Sequence, residues 1–147
     1  MPSVMDLALE QAGRAQARGE VPVGAVLVDA AGQVLASAGN EVEARHDVTA
    51  HAEVLVLRAA AGLRQTTRLE DCDLYVTLEP CAMCAAAISF ARIRRLYYGA
   101  YDPKGGAVEH GPRFFTLPTC HHRPEIYGGI EEQRAAALLK DFFQERR

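Results

Sequence analysis

No stretch of the chain approaches about 18 uncharged apolar residues, which excludes a membrane-spanning helix of ordinary length. There is no excess of basic charge either, since 16 Lys and Arg against 19 Asp and Glu leave a net charge of −3. That balance excludes a generally basic nucleic-acid coat, so any contact with nucleic acid has to be local. No internal repeat, low-complexity tract or linker breaks the 147 residues, and one domain spanning 1–147 is expected. The opening Met1-Pro2-Ser3-Val4-Met5-Asp6 lacks the basic and apolar regions of a secretory leader, and a cytoplasmic location is expected. Cysteine is scarce, at four residues. A chain of this size builds a core without disulfides, and thiols stay reduced in that compartment. Close cysteine spacing therefore points to a metal or catalytic site before a crosslink.

What is present is an alternation of helix and strand. Ser3-Val4-Met5-Asp6 matches a capping box, and Val4, Met5, Ala8, Leu9, Ala12 and Ala15 lie at helical spacing up to about Arg18. Val23 to Val28 and Val34 to Ala38 read as a hairpin, and the small Gly24 and Ala25 point to a close approach by another element. The polar stretch from Asn40 to Asp47 reads as loop. A helix follows, capped by Thr49, with His51 in its first turn and its end near Gly62. Leu74 to Leu78 is expected as a strand. Pro80 is expected as the first residue of a helix reaching Phe90, because proline lacks only an N–H that would be unpaired there. Ile93 to Tyr98 reads as the next strand, 102–122 as Gly- and Pro-rich loop with a short helix, Glu125 to Tyr127 as a brief strand, and Ile130 to Gln144 as the last helix. This order favours an α/β fold with helices on both faces of the sheet.

The residues that carry chemistry are His51, Glu53, Cys81 and Cys84. Three apart at a helix start, the two cysteines present their sulfurs on one face, and the helix N-terminus favours thiolate. Together with His51, which lies 30 positions before Cys81, they make three donors of the kind zinc prefers, with one tetrahedral position left to water. Glu53 adds a proton carrier. Positions i and i+2 inside a helix diverge by about 200°, so His51 and Glu53 converge only if they sit at a helix mouth. His-x-Glu with Pro-Cys-x-x-Cys is the signature of zinc deaminases, in which water adds to an amino-bearing ring carbon and ammonia departs. Cys72, Cys120, His121 and His122 have no ligand spacing to Cys81 and Cys84, which argues against a closed structural site. His46 and Asp47 read as a loop hydrogen-bond pair, Met83 as core packing, and Glu79 as a residue that orients backbone or a neighbouring ligand. Arg92, Arg94 and Arg95 form a basic patch that also fits a solvated strand edge or a dimer contact. One of Phe142 and Phe143 is expected in the core, the other as a stacking surface.

With their flanks, these motifs resemble the bacterial tRNA-specific adenosine deaminases of the cytidine-deaminase-like superfamily. Glu20-Val21-Pro22-Val23-Gly24-Ala25-Val26, Arg45-His46-Asp47 with Thr49-Ala50-His51-Ala52-Glu53, and Thr77-Leu78-Glu79-Pro80-Cys81-Ala82-Met83-Cys84 carry the likeness. It continues through Asp102, Lys104 and Asp141-Phe142-Phe143 with Arg146. The resemblance implies a three-layer α/β/α cytidine-deaminase-like fold around a central mixed five-stranded sheet. It implies one zinc ion (Zn2+) per chain on His51, Cys81 and Cys84, with Glu53 as the catalytic proton shuttle. Asn40 would hydrogen-bond a flipped base, Val23 and Leu78 would wall its pocket, and the backbone around Ala52 and Pro80 would complete it. Asp102 and Lys104 would hold nucleotides beside the target, while Phe143 and Arg146 would touch the anticodon loop. The implied activity is hydrolytic deamination of adenosine to inosine at the wobble position of an arginine tRNA. Its implied agents are a homodimer and, as partner, the tRNA anticodon stem-loop. A free nucleobase deaminase acting on guanine or cytosine would use the same metal site. A non-catalytic zinc-stabilised RNA-binding module would have no use for Glu53. Val48 stands where the family commonly has proline, and residues 107–122 follow the family poorly.

Overall fold

Ser3 opens the first element: its hydroxyl accepts the Asp6 N–H at 3.1 Å, and the Asp6 carboxylate accepts the Ser3 N–H at 2.9 Å. That capping box heads α1, Val4–Ala17. The computed structural model describes residues 2–146. After α1 come β1 (Gly24–Val28), β2 (Val34–Gly39), α2 (Val42–Arg45), α3 (Ala52–Arg64), β3 (Asp73–Leu78) and α4 (Ala82–Phe90). They are followed by β4 (Arg95–Ala100), a 3-10 turn at Phe114–Thr116, β5 (Glu125–Tyr127) and α5 (Glu132–Glu145).

The strands form one mixed five-stranded sheet in the order β2-β1-β3-β4-β5. β1 pairs antiparallel with β2 and β3, whereas β3, β4 and β5 run parallel. The parallel β3–β4 pair needs a crossover, and α4 supplies it. α1 and α5 cover one face, where Met5, Leu9, Val26, Val28 and Ala135 pack. α3 and α4 cover the other with Val56 and Ile88, over Leu27, Leu74, Val76 and Leu96. The result is a three-layer α/β/α fold in which each fully buried Leu or Ile contributes about 1.5–3 kcal/mol. At Gly24 the expected close approach is made by α1, since a Cβ there would run into the backbone of Ala8 and Ala12.

Several details differ from the reading of the sequence, each because of a specific hydrogen bond or backbone turn. The stretch expected as loop after Asn40 contains α2, whose Glu43 and Ala44 N–H groups are accepted by the Glu20 carboxylate at 3.1 and 2.8 Å. α3 begins at Ala52 with His51 as its N-cap and runs to Arg64. Thr49 is not the cap, because Asp47 takes both its N–H and its hydroxyl, at 2.8 and 2.7 Å. The same bonds replace the expected pairing of His46 with Asp47. α4 has Cys81 as its N-cap, so Pro80 lies outside the helix, and its carbonyl accepts the Ala107 N–H at 2.9 Å. β4 starts later than expected because Ile93 bonds back to the Ile88 carbonyl at 3.3 Å, through a left-handed Arg92 (φ 63°), and so closes α4. α5 likewise starts only after a left-handed Glu131 (φ 56°). Met83 is at the surface, not in the core. The basic residues near β4 are engaged: Arg94 grips Asp73 with two bonds of 2.9 Å, Arg95 meets Glu125, and Arg92 meets the His121 carbonyl. Among the described residues no helix is long and apolar enough to cross a membrane.

Candidate active site

Two helix mouths meet beyond the carboxyl end of β3. His51 (φ −73°, ψ 150°) and Cys81 (φ −73°, ψ 175°) are the N-caps of α3 and α4, with extended rather than helical backbone. This frees His51 from the helical phase, so it need not point away from Glu53. Cys81 and Cys84 hold the cap and third positions of α4, the same pair of positions whose side chains meet in a capping box. His51 Nδ1 lies 3.7 Å from Cys81 Sγ and 3.5 Å from Cys84 Sγ. All three donor atoms are within 4.8 Å of one another. Zinc bonds of about 2.3 Å to sulfur and about 2.05 Å to nitrogen, at tetrahedral angles, separate the two donors by about 3.6 Å. The observed spacings bracket that value, so the set fits zinc both in donor type and in separation. Among the described residues no fourth His, Cys, Asp or Glu joins the cluster. Cys72 sits instead with Arg64 and Asp71, and Cys120 with Ser89 and the His122 carbonyl.

Glu53 is the second residue of α3 and is only 4% exposed. Burial, the largest influence, joins the Cys81 sulfur in lifting its carboxyl to about 7, against hydrogen bonding and the pull of His51. Hydrogen bonding from Cys84 and then from His51 outweighs burial and holds Cys81 down to about 4, while Cys84 is pushed up by Cys81 and by burial. His51 is raised by its bond to Cys81. The electrostatics thus favour a thiolate beside an imidazole, with a carboxyl poised near neutrality two residues away.

These groups open into a cavity of about 520 Å³, within the range of small-molecule sites. Val23, Asn40, Ala52, Leu78, Asp102 and Arg146 all stand on its wall with His51, Glu53 and Cys81. Asn40 is fixed by its backbone, whose N–H reaches the Val23 carbonyl at 3.0 Å and whose carbonyl accepts Arg18 at 3.3 Å. Its carboxamide bonds no described residue, and Asn40 lines the cavity. Pro80, Lys104 and Phe143 are not on the wall: Pro80 is buried behind Cys81, Lys104 is exposed, and Phe143 is 52% exposed. Phe142 lines the cavity instead, with the Arg146 guanidinium 3.6 Å from its ring centre. The residue pattern left Phe142 and Phe143 undivided and the family resemblance named Phe143, although the i,i+4 spacing of Phe142 to Arg146 was a usable signal. Neither gave Glu20 a role; that residue lines the cavity while holding α2 in place.

Residues 2–100 match the family described as the cytidine and deoxycytidylate deaminase zinc-binding region. A tRNA-specific adenosine deaminase of Agrobacterium fabrum is 60% identical over 143 residues, covering 97% of this chain and 93% of the relative. The chain belongs to the tRNA-specific adenosine deaminase family. Another tRNA-specific adenosine deaminase, from Rickettsia felis, is 48% identical over 141 residues, 95% of this chain and 98% of its own. A solved structure from studies of A-to-I editing by tRNA:A34 deaminases at the wobble position superimposes with a TM-score of 0.91. It is 60% identical and covers 92% of this chain and 98% of that one. The zinc-binding region contains His51, Glu53, Cys81 and Cys84 and ends before Asp102. The likeness to the tRNA-specific adenosine deaminases covers nearly the whole chain.

Proposed function

We propose that this chain, as a single domain over 1–147, is a zinc-dependent tRNA adenosine deaminase. Its reaction takes adenosine and water to inosine and ammonia at the wobble position of the anticodon loop of an arginine tRNA. The observation that carries the reading is a two-thiol, one-imidazole donor set of which His51 and Cys81 stand, with the buried Glu53 carboxyl, on the wall of one cavity of about 520 Å³. Held by His51, Cys81 and Cys84, one zinc ion per chain supplies the Lewis acidity that makes water nucleophilic near neutral pH. Glu53, with its carboxyl lifted to about 7, takes one proton from the attacking water and gives it to the ring nitrogen, then carries the proton of the added hydroxyl to the amine, which leaves as ammonia as the carbonyl forms and the C–N bond breaks. Asn40 meets the edge of the base, Val23 and Leu78 hold its faces, and the backbone near Ala52 and Pro80 closes the pocket. Asp102 and Lys104 hold the neighbouring nucleotides, and Phe143 with Arg146 meets the loop. A loop base is already partly unstacked, so extruding it costs little. Focal contacts of this kind suit a mildly acidic chain.

Phe90 is 71% exposed on α4 and lines an apolar groove with Leu57, Ala61 and Ala87. A second copy of the chain covering this face gives a homodimer. The proposed setting is the cytoplasm.

The test is incubation of the zinc-loaded protein with an arginine anticodon stem-loop, read by sequencing and ammonia release. Inosine at the wobble position and an equal amount of ammonia are expected. Ammonia from free guanine or cytosine, with none from the RNA, would overturn the proposal.

A further inference from the structure

Glu79 lies two residues before Cys81, is 2% exposed, and is not one of the clustered donors. Its carboxylate accepts five hydrogen bonds, all from the segment after β4. Oε1 takes the Asp102 N–H at 3.0 Å and meets His110 Nδ1 at 2.8 Å. Oε2 takes the N–H groups of Val108, Glu109 and His110 at 3.1, 2.9 and 3.1 Å. Three successive N–H groups turned on one oxygen form an anion-holding nest. A carboxylate offers about four lone-pair sites, so five bonds leave it no capacity for a ligand. The loop fits closely around it: a Cβ at Gly106 would lie 2.6 Å from the Glu79 carboxyl and 2.5 Å from the Asp102 carbonyl oxygen. The Ala107 N–H, bonded to the Pro80 carbonyl at 2.9 Å, adds a second tie.

The tethered loop presents Asp102 and Gly105 to the cavity. Asp102 Oδ1 is occupied by the N–H groups of Lys104 and Gly105, at 3.2 and 3.0 Å. Its Oδ2 bonds no described residue. The acceptor that a neighbouring nucleotide would meet is therefore placed by a chain of bonds that begins at Glu79.

We propose that Glu79 is a positioning residue for the RNA substrate. It locks the segment bearing Cys81 to the loop bearing Asp102 and so sets how far the nucleotide beside the target sits from the reacting ring. The inference rests on the deaminase reading and on Asp102 as a nucleotide contact. Glu79 acts through Asp102 and does not touch the reacting atoms.

The test is steady-state kinetics of the zinc-loaded full chain on the anticodon stem-loop. Glu79→Gln keeps the shape but sets an NH2 group against N–H donors. It should retain its zinc, raise KM about tenfold and leave kcat within about threefold. Asp102→Ala should raise KM as well, and in that background Glu79→Gln should add less than about twofold, because both act on one contact. Independent KM effects, an unchanged KM, or loss of zinc from Glu79→Gln each overturn the inference. Should Glu79→Gln not fold, Gly106→Ala displaces the loop with the carboxylate intact. The same KM rise and the same non-additivity with Asp102→Ala are expected, and an unchanged KM overturns the inference. A parent chain that forms no inosine defeats the deaminase reading instead. The tether is then judged by hydrogen exchange at residues 102 and 108–110, which should quicken in Glu79→Gln; unchanged exchange there overturns it.

Discussion

Replacing Glu53 by Gln separates proton carrying from every other property of that side chain. The two residues have nearly the same volume, and at 4% exposure the change removes ionisation with little repacking. A positioned acid–base group contributes about 10²–10⁴-fold, or about 2.7–5.5 kcal/mol of barrier, so kcat should fall by that factor. Zinc content should not change, since Glu53 is outside the donor cluster. Stability should move the other way. A carboxyl lifted from 4.5 to about 7 is shifted by 7 − 4.5 = 2.5 units, on the order of 3 kcal/mol. Because the folded value is raised, the folded chain holds this proton more tightly than the unfolded one. The cost of burying the carboxylate is therefore absent below pH 4.5 and complete only above pH 7. With zinc removed by a chelator, Glu53→Gln should exceed the parent in stability at pH 8 by on the order of 2–3 kcal/mol, and the gap should close by about pH 4. Denaturant titrations at the two pH values, with metal analysis and a single-turnover assay, measure all three quantities. Parent-like turnover would refute the proton-carrying role, and a stability gap independent of pH would refute the argument from burial.

Changing His51, Cys81 or Cys84 to Ala should remove zinc and lower the melting temperature together, because binding energy at such a site is also folding energy; metal analysis and calorimetry on the three variants decide this. Gly24→Ala should destabilise the fold by about 1–3 kcal/mol, since the new Cβ meets the α1 backbone, and chemical denaturation reads the loss. Glu20→Ala leaves the Glu43 and Ala44 N–H groups without their acceptor. It should cost about 1–2 kcal/mol and speed hydrogen exchange at those two amides.

The meeting of His51, Cys81 and Cys84 was legible because its information is local. Cys-x-x-Cys at a helix start and His-x-Glu before an apolar helix both fix geometry within a turn, and the Ser3-to-Asp6 capping box likewise declares the start of α1. The strands were legible where apolar runs are bounded by turns, as at Val34 and Leu74. What escaped depended on which of several available partners a group takes in the fold. α2 is capped by a carboxylate 23 positions upstream, and no periodicity within residues 40–47 reports that. Thr49 has the chemistry of a cap but is captured by Asp47, so the cap passes to His51. Phe142 and Phe143 are adjacent on one helix, and only the docking of α5 decides which ring turns to the cavity.

The nest around Glu79 is made of main-chain groups, so the exposed Glu109 is bound by its course and not by its identity, while Val108 is also held by the core. Selection can rewrite position 109 so long as proline does not take its donor away and position 106 carries no side chain. The turn after β4 thus keeps its course through main-chain bonds while its exposed position 109 stays open to change, so substrate preference can evolve there with the neighbouring donors held in place.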